Sequence, residues 1–403
     1  MKTELAEHNS AWQGRGGLSQ LVAELERQKQ SRVDFVSDTR NFSIETVAPR
    51  QEIRGGIKCV IPGAVRLAPR SQQAGEWLPD GPIIFNDKAL TQLAEKTDPS
   101  IPKRFFDKML DDRSTILEAL VNGLHHAQPQ KRLVRCLDGK VRGWLSDSYR
   151  IIDNYDVAFT CLDEAQRKGA QVFEAGLSDT NMRIKFTNQS VWDAVDIKQR
   201  SGPQGGWYAG AIGNKELIGK TILGARINGE LPGGPGTIHP VVTVMNSETG
   251  HGGFRVRLGI LMGICFNVAT LEDVVTTIHL GSRSEEGIYS QETVAADTKA
   301  IMLKARDAVR TAFDPEKFKK MVAKVRKAQE DKVENPTSAV DNIIEANQIN
   351  EEHKEALLTY FLRDYDPTRF GLAQAVSRLA QDTNDSDDAD KLESIAGKML
   401  VAA

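Results

Sequence analysis

The chain has 403 residues, enough for a large buried core and for more than one folding unit. Apolar residues make up 40% and charged residues 27%, proportions that exclude a wholly disordered or fibrous chain. With 52 Lys and Arg against 55 Asp and Glu the formal net charge is -3, so a nucleic-acid partner would have to be met by a local cationic patch.

Residues 1–8 are polar and no apolar signal segment follows them. Residues 1–50 read as a peripheral arm in which Leu18, Leu21, Val22 and Leu25 mark one short helix that needs a surface to dock on. An α+β core is expected over 51–290. It opens with a strand at 57–61, and Ile83-Ile84-Phe85 then reads as the entry into a helix capped by Asn86 or Asp87, with the apolar stripe Ala89, Leu90, Leu93 and Ala94. Pro102 suits the start of the next helix, with Phe105, Phe106, Met109 and Leu110 as its core face. Ile116, Leu117, Leu120, Val121 and Leu124 continue the pattern in a further helix.

Strands at 131–137 and 141–145 flank Asp138-Gly139-Lys140, a sequence suited to the positive dihedrals of a tight hairpin turn. A helix capped by Asp153 or Asn154 runs to Gly169, and a second strand pair brackets Ser178-Asp179-Thr180-Asn181. The order strand, strand, helix, strand, strand over 131–187 predicts one antiparallel sheet with a face covered by helices. Glycine and proline crowd into 202–236, which reads as a lid, insertion or inter-subunit loop. The β-branched run at 241–244 and the alternating 254–258 predict a hairpin across Asn246-Ser247-Glu248-Thr249-Gly250. Beyond it lies a helical extension over 291–381, then an acidic stretch with Asp382, Asp385, Asp387, Asp388 and Asp390, and a short apolar end over 392–400. Residues 382–403 read as an acidic tail that is solubilising, or that mimics DNA and competes for the protein's own cationic groove or recruits a basic partner.

The longest apolar stretch, 258–269, is too short to cross a bilayer. Cys59, Cys136, Cys161 and Cys265 lie far apart, which predicts reduced thiols and a cytoplasmic, soluble protein.

Enzyme signatures fail on their spacing. Gly219-Lys220-Thr221 ends like a phosphate loop, but the first glycine that the motif requires is missing, and no strand introduces the glycines of 202–210. His239, His251 and His279 could converge on a metal with Glu248, Asp273 or Cys265, but seven histidines offer such groupings by chance and the spacing is not that of a ligand set. Glu272-Asp273 and Glu285-Glu286 are sequence neighbours that do not share a helix face. No cofactor, metal or catalytic residue is therefore expected.

Charge is separated locally. Residues 131–150 carry Lys131, Arg132, Arg135, Lys140, Arg142 and Arg150 against Asp138 and Asp147. Residues 304–332 carry ten basic and five acidic residues, with Lys317, Lys319, Lys320, Lys324, Arg326 and Lys327 at their centre. Both are candidate phosphate-facing surfaces, or else a solvated sheet and helix face. On the first, Lys131, Arg132, Arg135, Arg142 and Arg150 would track phosphates, and Trp144, Tyr149, Trp207 or Tyr208 would offer faces to bases.

The segment Arg142-Gly143-Trp144-Leu145-Ser146-Asp147-Ser148-Tyr149-Arg150, followed by Asp153-Asn154, resembles the signature of a phage- and plasmid-associated family, domain of unknown function number nine hundred and thirty-two. Asn246-Ser247-Glu248-Thr249-Gly250, Cys265-Phe266-Asn267 and His279-Leu280-Gly281 resemble its later blocks, with Leu280 where the family usually has threonine. The likeness covers roughly 50–300 and implies a phage or plasmid setting without a settled activity. The element order over 131–187 is similar to that of phage single-strand annealing proteins, an analogy of fold alone. The expectation is an α+β protein, an antiparallel sheet packed on helices with a helical C-terminal extension. Its expected role is in phage or plasmid DNA metabolism and recombination: a homo-oligomer that binds single-stranded DNA, annealing included, in the host cytoplasm if phage-encoded. The alternatives are a homo-oligomeric assembly protein without nucleic acid, and a nuclease or nucleotide-modifying enzyme.

Overall fold

The computed structural model describes residues 14–54, 57–149, 151–188, 190–195, 237–262, 267–278, 291–383 and 385–401. The glycine- and proline-rich 202–236, Arg150, Cys265 and His279 lie outside the described residues. The fold is α+β: two sheets, each packed on helices, and a C-terminal helical bundle.

In chain order the first half comprises β1 (Gly14–Gly16), α1 (Leu18–Ser31), β2 (Arg32–Asp38), β3 (Phe42–Val47), β4 (Arg50–Arg54), β5 (Ile57–Ile61), β6 (Ala64–Pro69), α2 (Gln72–Trp77) and β7 (Ile83–Phe85). Next come α3 (Asp87–Glu95), α4 (Lys103–Asp112), α5 (Ser114–Ala127), β8 (Lys131–Leu137) and β9 (Lys140–Ser146). The second half holds α6 (Asn154–Arg167), β10 (Gln171–Leu177), β11 (Met182–Thr187), β12 (Asp193–Ala194), β13 (Thr237–Asn246), β14 (Phe254–Met262) and β15 (Val268–Ile278). It closes with α7 (Gln291–Ala312), α8 (Pro315–Glu330), α9 (Pro336–Asn347), α10 (Lys354–Asp364), α11 (Arg369–Asp382) and α12 (Ser386–Val401).

The expected hairpins form, with Asp138 and Gly139 both at positive φ in the β8–β9 turn. They do not share one sheet. The outer edge of β8 is taken by β2 and that of β9 by β7, in parallel, so the hairpin sits inside the order β2-β8-β9-β7-β6-β3. β10 instead pairs with β1, which places β10 and β11 in a second sheet, β1-β10-β11-β13-β14-β15, with β12 beside β13. A strand edge already filled cannot accept another ladder. Residues 14–47 are likewise integral to the sheets: they supply β1, β2 and β3, and Leu21 and Leu25 of α1 are buried in the second core.

Each sheet has its own core. In the first, Phe35, Ile44, Phe85, Val134 and Trp144 meet Leu93, Phe106 and Leu117 of α3 to α5. Asn86 caps α3 by accepting the Ala89 N–H at 2.8 Å. Of the apolar faces read for α4 and α5, Phe106, Leu110, Leu117 and Val121 are buried, whereas Phe105, Ile116 and Leu120 point outward at 51%, 50% and 38% exposure. In the second sheet, alternation puts Ile184, Phe186, Val242 and Val244 into the core shared with α6 and α7. The intervening Arg183 and Lys185, with Arg257 of β14, lie on the opposite face under α12.

There the acidic stretch proves to be structural. Asp387 accepts from Ser178 Oγ (2.9 Å), Thr180 Oγ1 (2.6 Å) and Asn181 Nδ2 (3.1 Å). Asp390 bridges Arg183 and Arg257, and Glu393 pairs with Lys185. Spacing of three along a helix sets these carboxylates on one face, against a row of sheet cations.

Candidate functional site

The two sheets meet where the β13–β14 turn enters the β8–β9 strands, and the residues that carry the sequence signature meet there too. Arg135, at 0% exposure, is the hub. Its Nε and Nη2 donate to the two oxygens of Asp34 at 3.1 and 2.8 Å, its Nη1 donates to the Glu248 carbonyl at 2.7 Å, and Asp153 lies 3.4 Å away. Burial pulls this guanidinium's pKa down, but the Asp34 bond and the Glu248, Asp34 and Asp153 charges more than offset it, leaving the value raised. Arg142 pairs with Glu248 at 2.8 Å and Arg32 with Asp153 at 2.6 Å, while Glu248 Oε1 accepts the Asn154 N–H at 2.5 Å.

Gln92 of α3 stitches the turn from the other side. Its Nε2 donates to the Thr249 carbonyl at 2.6 Å, and its Oε1 accepts the Trp144 N–H at 2.8 Å. Tyr149 OH donates to the Ser247 carbonyl at 3.2 Å. Gly250 sits at φ +78°, a conformation that residues with a side chain rarely adopt, and a Cβ there would fall 2.7 Å from Leu145 Cδ2.

Arg135, Arg142 and Trp144 are consequently interior groups: the first two are neutralised by carboxylates, and the Trp144 ring, 1% exposed, stacks against His125 and packs near Phe85. A strand tracked along β8 and β9 would not reach them. Tyr149 is half-buried against the turn, and Lys131 is exposed.

Arg132 belongs to a different environment. Alternation turns it to the helix-covered side of its sheet, between Ser37 and Ser146 of the adjacent strands. Its Nη2 donates to the Lys96 carbonyl at 2.5 Å and to Gln130 Oε1, and its buried Nε has no hydrogen-bond partner. Burial and the charge of Arg132 lower the Lys96 pKa; burial lowers that of Arg132, which Asp147 only partly restores. Burial, then Arg132 and Arg70, push His125 down to about 4. Lys96 follows the last residue of α3 and His125 sits in the last turn of α5, so the negative helix ends make the crowding tolerable without neutralising it. Beside this corner a cleft of about 200 Å³ is lined by Lys96, Ser146, Ser148 and Tyr149.

On α8, Lys319, Lys320, Arg326 and Lys327 are exposed and Lys317 and Lys324 half-buried. Lys319 pairs with Glu316 at 2.8 Å and Arg326 with Asp193 at 2.9 Å, ordinary surface pairs.

His239 is fully buried beside Thr237 Oγ1, and His251 lies 3.3 Å from Gln92 Nε2; the two occupy opposite ends of the β13–β14 hairpin. Among the described residues no group of His, Cys, Asp or Glu is placed to hold a metal ion. Cys136 and Cys161 are free and buried, and burial raises both thiols to about 12, which leaves them unreactive. Among the described residues no helix is long and apolar enough to cross a membrane. The Gln92 stitch and the Lys96–Arg132 corner escaped sequence reading; an isolated Gln or Lys on a helix carries no signal of the distant strand it meets. No family model matches the chain, and no curated protein or solved structure matches it.

Proposed function

We propose that this is a non-enzymatic DNA-metabolism protein that binds single-stranded nucleic acid at the corner formed by Lys96 and Arg132. The observation that carries the reading is the contrast between this corner and fully buried cations elsewhere among the described residues. Arg15, Arg135, Arg183, Lys185 and Arg257 each have a carboxylate within 3.4 Å, whereas Arg132 is met by the neutral oxygens of Lys96 and Gln130 and sits beside a second cation. Cations pressed together gain from an arriving phosphate what the others already gain from a carboxylate. Exposed Arg70, whose charge reaches His125, flanks the corner and extends its reach along a backbone, whereas alternation turns exposed Lys131 to the other face of the sheet.

Fluorescence anisotropy with a labelled oligonucleotide across a salt series tests this. Lys96→Ala with Arg132→Ala should flatten the log-log slope by about 1.4, the loss of two phosphate contacts. His125 should report the same event by NMR, its pKa rising from about 4 as phosphate neutralises Arg132. Absence of binding at low salt, or an unaltered slope with an unmoved His125, overturns the reading.

A second reading, a homo-oligomeric assembly protein, is favoured by Ile116 and Leu120, one turn apart on α5, and Phe105 on the preceding helix. Light scattering decides it: a monomer at every concentration removes it, and a dimer lost on Ile116→Glu supports it.

A further inference from the structure

The cleft of about 200 Å³ beside the Lys96–Arg132 corner differs in charge from a larger one, of about 290 Å³, on the other side of the hub. Glu24, Asp138, Asp179 and Glu248 line the larger cleft, whereas the smaller one is lined by Lys96 and no carboxylate. Lys96 is half-buried, and the acids whose charges reach the corner, Glu95 and Asp147, are exposed and outside the lining, where solvent screens them. Two hydroxyls of the lining come from the turn after β9. There the Tyr149 N–H donates to the Ser146 carbonyl at 2.9 Å and the Ser148 N–H to Ser146 Oγ at 3.3 Å, which brings the Ser146 and Ser148 Oγ atoms within 2.7 Å. Two hydroxyls this close use one proton between them and have another to donate. Its described acceptor is Asp147 Oδ1 at a long 3.4 Å, a contact that a closer oxygen would replace.

A cation beside a pair of hydroxyls selects an anion, and the volume restricts which one. The cleft is smaller than the roughly 300 Å³ at which small-ligand sites begin, so it takes one functional group and not a nucleotide threaded through it. An internal phosphodiester has a nucleotide on either side, and a strand that buried one here would have to enter and leave. A phosphate at the end of a strand has nothing beyond it. It also carries a charge of about −1.5 to −2 at neutral pH and presents three strong acceptor oxygens. Lys96 answers that charge, Ser146 and Ser148 answer the oxygens, and Gly252 and Gly253 form part of the wall without side chains of their own. The same dianion offsets the crowding of Lys96 against Arg132 more fully than the single charge of a diester.

We infer that this cleft receives the terminal phosphate of a single strand, so that the corner holds strand ends in preference to strand interiors. The inference rests on the nucleic-acid reading and narrows it to the end of the strand. The probes are internally labelled thymidine oligonucleotides of one length with a 5′-phosphate, a 3′-phosphate or hydroxyls at both ends, titrated by anisotropy against the full chain. A phosphate at one of the two ends should tighten binding about tenfold or more over the hydroxyl strand, the gain from charge-assisted bonds. Ser146→Ala with Ser148→Ala should bring that ratio back to about one while circular dichroism stays native, because the donors are lost and Lys96 is kept. Equal affinity for the three strands overturns the inference and leaves the proposed function standing. A preference that survives in the double variant is general attraction to an extra charge and also overturns it. Phosphorus NMR with thymidine 5′-monophosphate separates the remaining source: a free nucleotide bound as tightly as the phosphorylated strand would make this a nucleotide site and remove the strand end. If none of the strands binds at low salt, the proposed function and this inference fall together.

Discussion

Gly397 of α12 lies directly against the carbonyl of Thr270 in β15, so close that a Cβ at that position would collide with the carbonyl oxygen. Helix and sheet therefore meet backbone to backbone, with Ala396, Ile395 and Leu392 buried around the contact. The C-terminal segment is part of the core, and its acids are committed to Arg183, Lys185 and Arg257.

Gly397→Val should lower stability by about 1–3 kcal/mol, because the helix must shift away from β15. Removing residues 386–401 should unfold the second core, where a displaceable tail would leave the melting temperature unchanged and strengthen oligonucleotide binding. Thermal denaturation of the two variants distinguishes these outcomes.

Lys185 is shared by Glu174 at 2.9 Å and by Glu393, all three at the sheet–helix interface. Burial works to raise the pKa of both acids; the charges of Lys185 and Arg15 outweigh it at Glu174, which is lowered, but not at Glu393, which is raised. Lys185→Met should cost about 3–5 kcal/mol by stranding Glu393, and Lys185→Met with Glu393→Leu should cost less than the single change. Denaturant titration of the three proteins reads the difference.

Arg135→Ala strands Asp34 and the Glu248 carbonyl inside the junction, for an expected loss of about 3–5 kcal/mol. The salt slope of any oligonucleotide binding should not move. A slope flattened without loss of stability would return Arg135 to the contact surface.

His125 gives the protein a defined acid sensitivity. Its folded pKa of about 4 lies below the ordinary 6.5, so the unfolded chain binds more protons between those values and stability falls as pH drops through that window. The full loss is about 3 kcal/mol, reached near pH 4 and absent above about pH 7. His125→Phe should remove the slope in that window, as measured by chemical denaturation from pH 7 to pH 4.

Local pattern made many elements legible: the Asp138-Gly139 turn, the Asn86 cap and the alternation of β13 with β14 are written in adjacent residues. What could not be read was partnership at a distance. Nothing near β10 says that its edge belongs to β1, and nothing in the 131–150 charge excess tells Arg135, sealed by Asp34 and Glu248, from Arg132, left with neutral acceptors. Counting cations measured supply, while burial and pairing decide which of them a phosphate can use. The same limit turned an aspartate run into a tail, because its partners on β11 and β14 lie far away in sequence.

Arg15 donates to the carbonyl of Ala380 at 2.6 Å across a separation of 365 residues, and its own strand forms the edge of the second sheet. During synthesis that edge has no mate until β10 emerges, and Arg15 has no complete set of acceptors until α11 follows. The first core, by contrast, lies wholly within residues 35–144 and can close while the rest is still being translated. A nascent chain thus carries a finished N-terminal sheet beside an open strand edge, a period in which chaperone contact or pairing with a neighbouring nascent chain is most probable. The two ends of the described chain are fastened together by contacts that only a chain carrying both segments can make.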